Sequence, residues 1–456
     1  MIPRIASFSL FVLAATLAHA QTPAERLYSE HCAGCHGDDR LGGTGPALIP
    51  ETLKRMRGPA VTKVITNGRP ATQMPAFSKV MTGDEITALE KYVKSPLASL
   101  PRWTVAEIEQ SRSLAADYEP ATQPVFKADP LNIFLVVETG DHHVSVLEGE
   151  TFERLVRFPT PFAVHGGPKF SPDGRFVFIM SRDGWVQKYD LWSLKEVGRI
   201  RAGLNSRNIA ISKDGRWLAV ANYRPRTLTI LATGDLAVAR IFDIADSDGQ
   251  PSRVSAVYQA PTRDSFILAL KDVAEICEIA TNPNAETVNS GFVHSDEKGM
   301  SEALPSADGL FARRRIKVSE PIDDFFFDPP YRHLIGAARD GSKGVVVNLT
   351  AGHEIAELPL PGMPHLGSGI SWMRDGRRVM ATPHLREGKL SVISVDDWTP
   401  LATIKTEGPG FFLRSHENSR YVWADVFFGP NKDAMHIIDK QTLKIVRTLR
   451  PVPGAT

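Results

Sequence analysis

Ser171-Pro172-Asp173-Gly174-Arg175-Phe176-Val177-Phe178 is a tight turn running into an apolar strand, and the chain repeats it. Copies stand at Ser212-Lys213-Asp214-Gly215-Arg216-Trp217-Leu218-Ala219, at Met373-Arg374-Asp375-Gly376-Arg377-Arg378-Val379-Met380 and at His416-Glu417-Asn418-Ser419-Arg420-Tyr421-Val422-Trp423. A weaker copy is Phe327-Asp328-Pro329-Pro330-Tyr331-Arg332-His333-Leu334. Aspartate and glycine suit the turn, and the aromatic and β-branched run suits a strand. A second strand follows each copy, as in Val186-Gln187-Lys188-Tyr189-Asp190-Leu191. Arg175 and Arg216 are 41 positions apart, Arg332 and Arg377 are 45, and Arg377 and Arg420 are 43. Such periods, with several strands per unit, are those of propeller blades. About 330 residues at roughly 41 per blade predict an eight-bladed β-propeller over 125–456, preferred to seven.

Before Val125 the rhythm is different. Residues 21–97 read as helical: Ala24–His31, Val61–Asn67 and Gly83–Lys94, the last with Ile86, Leu89, Tyr92 and Val93 on one apolar face. Residues 98–124 are polar and proline-punctuated, with a short helical piece at Val105–Ala115, and read as a linker. The expected fold class is α plus all-β in two domains: a small helical domain followed by the propeller.

Cys32-Ala33-Gly34-Cys35-His36 is the c-type haem attachment motif. Its two thiols add to the haem vinyl groups, and the histidine supplies the proximal iron ligand. The chain has one further cysteine, Cys277, which lies beyond a strand-like run and reads as a small buried hydrophobe. With the helices, this motif makes residues 21–97 the expected small class I cytochrome c, and Thr44-Gly45-Pro46-Ala47-Leu48 follows at the distance where such cytochromes brace the proximal histidine. Gln73-Met74-Pro75-Ala76-Phe77 reads as the loop carrying the distal thioether, so His36 and Met74 are the expected haem c iron ligands. Met81 competes with Met74, and Met56 is a distant third.

Arg4, the apolar run from Ile5 to Ala15 and Ala18-His19-Ala20 read as a signal peptide over 1–20, cleaved after Ala20. The run falls short of the ~20 apolar residues a span requires, and no later segment reaches that length. The expected location is the periplasm, where haem c is attached, as a soluble protein. A net charge of +1 argues against a nucleic-acid binder.

Phe162-Ala163-Val164-His165, with Gly174–Ile179 and Arg182-Asp183-Gly184 behind it, resembles the cytochrome cd1 nitrite reductase family. So do Asp190-Leu191-Trp192, Ser206-Arg207-Asn208-Ile209, Pro364-His365-Leu366-Gly367 and Phe412-Leu413-Arg414-Ser415-His416. The resemblance spans nearly the whole mature length. It implies that His165 is the haem d1 iron ligand and that His365 is one of two distal histidines. The second distal position falls at Pro261, which can neither donate nor carry a proton, and this weakens the reductase reading. The resemblance is closer to the NirN-type dihydro-haem d1 dehydrogenases, which implies the last step of haem d1 biosynthesis. There a propionate becomes an acrylate, with electrons passed to covalent haem c.

That activity needs guanidinium partners for the carboxylates of dihydro-haem d1. Arg182, Arg207, Arg224, Arg253 and Arg414 are candidates, Arg207 first because its segment matches the family. Asn222 and Tyr223 are candidate neutral hydrogen-bonding groups. A base near the propionate is also required, and an imidazole titrates in the right range. His365 is the first choice, His384 the second, and Tyr223 or Tyr421 could relay. His142-His143 is set aside as a metal site, because adjacent strand residues face opposite ways.

The cofactors implied are haem c and haem d1 or dihydro-haem d1. The partners implied are dihydro-haem d1, a periplasmic electron acceptor, nitrite reductase and other haem d1 maturation proteins. The rival readings are a cytochrome cd1 nitrite reductase and a non-enzymatic haem d1 carrier. A quinone-cofactor dehydrogenase would need a cluster of acidic calcium ligands, and none is visible.

Overall fold

Two capping boxes set the starts of the long N-terminal helices. Thr22 accepts from the Glu25 amide while Glu25 reaches back to the Thr22 amide, and Thr82 and Glu85 repeat the exchange. They open Pro23–His31 and Gly83–Lys94, which pack together with Tyr28 against Tyr92. Ala33–His36, Pro50–Leu53 and Gly58–Asn67 complete the helices of this unit. Ile86, Leu89 and Val93 are buried with Tyr28, Val61, Ile65 and Phe77, so the expected apolar face is the one that packs.

The computed structural model describes residues 21–54, 56, 58–69, 72–99, 102–284, 288–289 and 306–453. Its contacts divide the chain into units 1–99 and 100–456. The expected signal peptide, residues 1–20, lies outside the described residues.

The second unit is a β-propeller. Blade one holds Ile133–Glu138, His143–Glu148 and Arg154–Pro159; blade two runs from Lys169–Phe170 to Lys195–Arg201. Blade three spans Asn205–Ile211 to Val238–Asp243, and blade four Val254–Ala260 to Arg313–Lys317. Blade five spans Ile322–Phe327 to His353–Leu358, blade six Ile370–Arg374 to Pro400–Lys405, and blade seven Leu413–Arg414 to Ile445–Leu449. All pairings are antiparallel, and within the blades they join strands consecutive in the chain except Glu275–Ala280 with Arg313–Lys317.

Seven blades are present among the described residues, against the eight expected from the period. The period fails in blade four, where residues 281–312 intervene between its third strand, Glu275–Ala280, and its fourth, Arg313–Lys317. Those residues occupy the length that an even division assigned to another blade.

The quoted repeats are the turns between first and second strands of blades two, three, five, six and seven. Gly174 and Gly215 take positive φ there, 73° and 75°, where a side chain is strained. Blade four uses Pro261–Arg263 at the same place, with Asp264 left-handed.

Each pair of blades consecutive in the chain shares one apolar cluster, so middle strands such as Ser265–Leu270 are buried on both faces. Cys277 is 1% exposed in the cluster between blades three and four, as expected, and burial raises its thiol pKa to about 11. Residues 102–124 lie along the propeller. Ser113–Leu114 adds a fifth strand to blade two, Trp103 donates to the Arg201 carbonyl at 2.9 Å, and Tyr118 donates to buried Asp190 at 2.9 Å.

First strands of neighbouring blades pack on one another around the centre. Their starts and the ends of the second strands share one face, as in the bond from the His365 amide to the Pro383 carbonyl, 2.9 Å. That face is called the mouth below. No helix among the described residues is long and apolar enough to cross a membrane.

Candidate functional site

In the N-terminal unit, Cys32 follows the first helix, and Cys35 and His36 close the short helix after it. His36 is buried, and its Nδ1 lies 2.8 Å from the Pro46 carbonyl oxygen. A carbonyl only accepts, so the proton sits on Nδ1 and Nε2 keeps its lone pair. A Cβ at Gly45 would come within 2.8 Å of His36 Cε1, so glycine lets the loop lie against the ring. Buried Arg40 donates to Leu48 O at 3.0 Å, Val93 O at 2.7 Å and Ser95 O at 2.7 Å, tying this loop to the end of the last helix. These residues fit a covalently held haem: two thiols, an oriented imidazole and a thioether, Met74, packed on the apolar cluster of the same unit.

Met74 is half-buried and packs on the apolar cluster that includes Cys32. Its loop is held to the Gly58–Asn67 helix by Arg69 N to Met74 O, 3.1 Å, and Phe77 N to Ile65 O, 3.0 Å. Met81 is 6% exposed inside that cluster, and Met56 packs at its edge.

In the propeller, His165 precedes the first strand of blade two at the mouth. Its Nδ1 donates to Arg207 O at 2.7 Å, which again leaves the lone pair on Nε2. The Arg207 guanidinium donates to that Nε2 at 2.9 Å. Burial works against the Arg207 charge, but Tyr223, Asp324, Asp323 and Tyr258 hold its pKa above the usual arginine value.

Three cations surround the Tyr223 ring: Arg182 at 5.7 Å, Arg253 at 5.3 Å and Lys271 at 5.4 Å from its centroid. Arg253 Nε donates to Asp272 at 2.8 Å, and Arg339 donates to the same carboxylate at 3.0 Å. Burial opposes the Asp272 charge, yet Arg253 holds its carboxyl well below the usual range. Lys271 pairs with Asp323. Exposed Arg414 lies over Phe412 at 5.3 Å and, after burial, is the second influence lowering the Lys169 pKa. Arg224 pairs in register with Asn205.

His365 stands before the first strand of blade six. Its Nδ1 donates to Phe411 O at 2.8 Å, with Ser368 Oγ 2.9 Å away, and its ring lies 4.2 Å from that of Phe411. Its Nε2 is 3.5 Å from Asp324 Oδ2. Asp324, on the first strand of blade five, is buried and accepts from Tyr258 Oη and the Gly367 amide, each at 2.9 Å.

Four expectations change. Asn222 is fully buried: Oδ1 accepts from Ser206, and Nδ2 donates to Ala202 O, Thr227 and Thr229, each at 3.1 Å. Its amide is spent inside blade three and offers nothing to a carboxylate. His384 is likewise fully buried, with Nε2 2.9 Å from Ser391 Oγ, and burial lowers its pKa to about 4. It cannot reach a substrate at the mouth. Pro261 lies in the turn after the first strand of blade four, at the end opposite the mouth. Its lack of a proton therefore decides nothing, although blade four has no histidine among its described residues. Tyr421 is exposed and starts the second strand of blade seven, also away from the mouth.

Residues 128–297 and 306–456 match the family described as Cytochrome D1 heme domain, and residues 19–93 match Cytochrome C oxidase, cbb3-type, subunit III. The chain belongs to the cytochrome d1 heme domain family. It is 47% identical to a dihydro-heme d1 dehydrogenase of Pseudomonas aeruginosa over 456 residues, covering 99% of this chain and 87% of that protein. The solved structure of dihydro-heme d1 dehydrogenase NirN in complex with DHE matches with a TM-score of 0.85 at 47% identity. That match covers 95% of this chain and 88% of that one. A nitrite reductase of Stutzerimonas stutzeri is 22% identical over 488 residues, covering 96% of this chain and 82% of that protein.

In this d1 domain the mouth also contains residues that sequence reasoning passed over: Asp324, Tyr258, Lys271 and Arg339. One signal was available. Ile322-Asp323-Asp324-Phe325-Phe326-Phe327 places two acids inside an otherwise apolar strand, where unpaired charge is too costly to keep.

Proposed function

We propose that this protein dehydrogenates dihydro-haem d1, the last step of haem d1 formation. The supporting observation is that one mouth combines a tautomer-fixed His165 Nε2, a collar of cations around Tyr223 and a second oriented imidazole, His365. The 47% identity to a dehydrogenase of that substrate supports the same reading.

His165 binds the iron of the substrate. Arg207, Arg182, Arg253 and Lys271 meet its carboxylates, with Arg414 at the rim and Tyr223 beside the carboxylate groups. The reacting side chain –CH2–CH2–COO⁻ becomes –CH=CH–COO⁻, losing two protons and two electrons. His365 takes a proton at Nε2, whose lone pair its Nδ1–H bond to Phe411 O leaves free. Cys32 and Cys35 would hold haem c covalently, and His36 and Met74 would be its iron ligands. When bound, that group would supply one-electron acceptance on the way to a periplasmic acceptor. Export to the periplasm, read from residues 1–20, belongs to this proposal, as does handing the product to nitrite reductase or a maturation partner.

The test is anaerobic incubation of the haem c-loaded protein with dihydro-haem d1 and an electron acceptor, followed by mass and visible spectra. Loss of two mass units with transient haem c reduction supports the proposal. Tight binding without a mass change overturns it in favour of a carrier, and nitrite turnover overturns it in favour of a reductase.

A further inference from the structure

We infer that Asp324 is a positioning residue that acts on proton transfer through His365. The inference rests on the assignment of His365 as the group that takes the proton. Asp324 belongs to blade five, His365 to the approach to blade six, and Phe411 to the approach to blade seven. The imidazole is thus held from both sides by different blades: Nδ1 by Phe411 O at 2.8 Å, and Nε2 facing Asp324 Oδ2 at 3.5 Å.

That separation is too long for a hydrogen bond and close for charges. While His365 is neutral, Nε2 therefore keeps its lone pair for the substrate. Once Nε2 gains the proton that leaves the propionate carbon, the imidazolium stands beside a fixed anion. The N–H bond replaces the first C–H bond and that electron pair passes to the acceptor; the adjacent C–H pair then forms the C=C bond, and its proton leaves to water. Asp324 is fixed for this purpose. Tyr258 Oη and the Gly367 amide each donate to it at 2.9 Å, and the Phe325 amide donates to Oδ1 at 3.0 Å. Tyr258 does not pass the proton on, because burial raises its pKa well above the ordinary tyrosine value and keeps it a donor. A carboxylate held by three donors and aimed at one edge of an imidazole favours the charged product of proton transfer over the neutral reactant.

The test uses full-length, haem c-loaded protein and the variants Asp324→Asn, His365→Ala and the double variant. Asp324→Asn is expected to lower kcat by roughly 10²-fold. The Kd for dihydro-haem d1, from absorbance titration, should stay within about threefold, because Asp324 does not touch the substrate. The double variant should be no slower than His365→Ala alone, since Asp324 has no route to the substrate without the imidazole. Additive losses in the double variant, or a Kd that weakens in step with kcat, would show a scaffold role and overturn the inference. An Asp324→Asn kcat within about twofold of wild type would also overturn it. Asp324→Glu keeps the charge and is expected to recover part of kcat, which separates loss of charge from misfolding. Full kcat in His365→Ala overturns the inference together with the His365 assignment. Loss of two mass units in that variant would show that dehydrogenation itself survives.

Discussion

Arg207 holds His165 from two sides: its carbonyl oxygen accepts from Nδ1 at 2.7 Å, and its guanidinium donates to Nε2 at 2.9 Å. One residue therefore fixes the tautomer with its backbone and covers Nε2 with its side chain. The proposed iron-ligand role of His165 requires the guanidinium to leave Nε2. The charge this frees is then available to a substrate carboxylate.

Backbone and side chain can be separated. Arg207→Ala keeps the carbonyl, so the imidazole stays oriented and dihydro-haem d1 should retain its axial-imidazole spectrum. Losing one charge-assisted hydrogen bond should weaken the Kd by about 10- to 100-fold. His165→Ala should lose the spectral signature itself. Absorbance titration of both variants checks the pair.

The two methionines should fail differently. Met74→Ala should remove the haem c thioether ligand, lowering the midpoint potential and altering the visible spectrum with little loss of stability. Met81 is 6% exposed in the apolar cluster, so Met81→Ala should cost about 2–5 kcal/mol and leave the potential near wild type. Redox titration and urea unfolding distinguish them.

Buried His384 should make the propeller acid-sensitive. Its pKa is about 4 in the folded chain against about 6.5 unfolded, so the unfolded chain binds more protons between those values. Stability is fully present above about pH 6.5 and should decline by about 3 kcal/mol in total as pH falls through that window. Urea midpoints against pH should show this slope, and His384→Asn should flatten it.

Asn222→Ala should act on the fold. It leaves Ser206, Ala202 O, Thr227 and Thr229 without their shared partner, at a cost of about 1–3 kcal/mol. The Kd for dihydro-haem d1 should be unchanged, as paired unfolding and titration measurements would show.

What could be read directly from the sequence is local in the chain. The turn at Ser171–Gly174 and its copies specify strand pairs because aspartate and glycine act within a few residues. Cys32, Cys35 and His36 specify an attachment site because one helical turn brings them together, and the Thr82–Glu85 box starts its helix for the same reason. Resemblance carried His165, Arg207 and His365 to one site, and all three stand at the mouth.

The remainder was decided by the tertiary structure. Blade number depended on residues 281–312, whose insertion no average period reveals. Asn222 and His384 carry polar side chains suited to a site, and only the packing of blades three and six shows them buried away from it. Tyr258, Asp324 and His365 come from three blades, the first two 66 positions apart in the chain. Their chemistry depends on distances of 2.9 and 3.5 Å that exist only when the blades close round the centre.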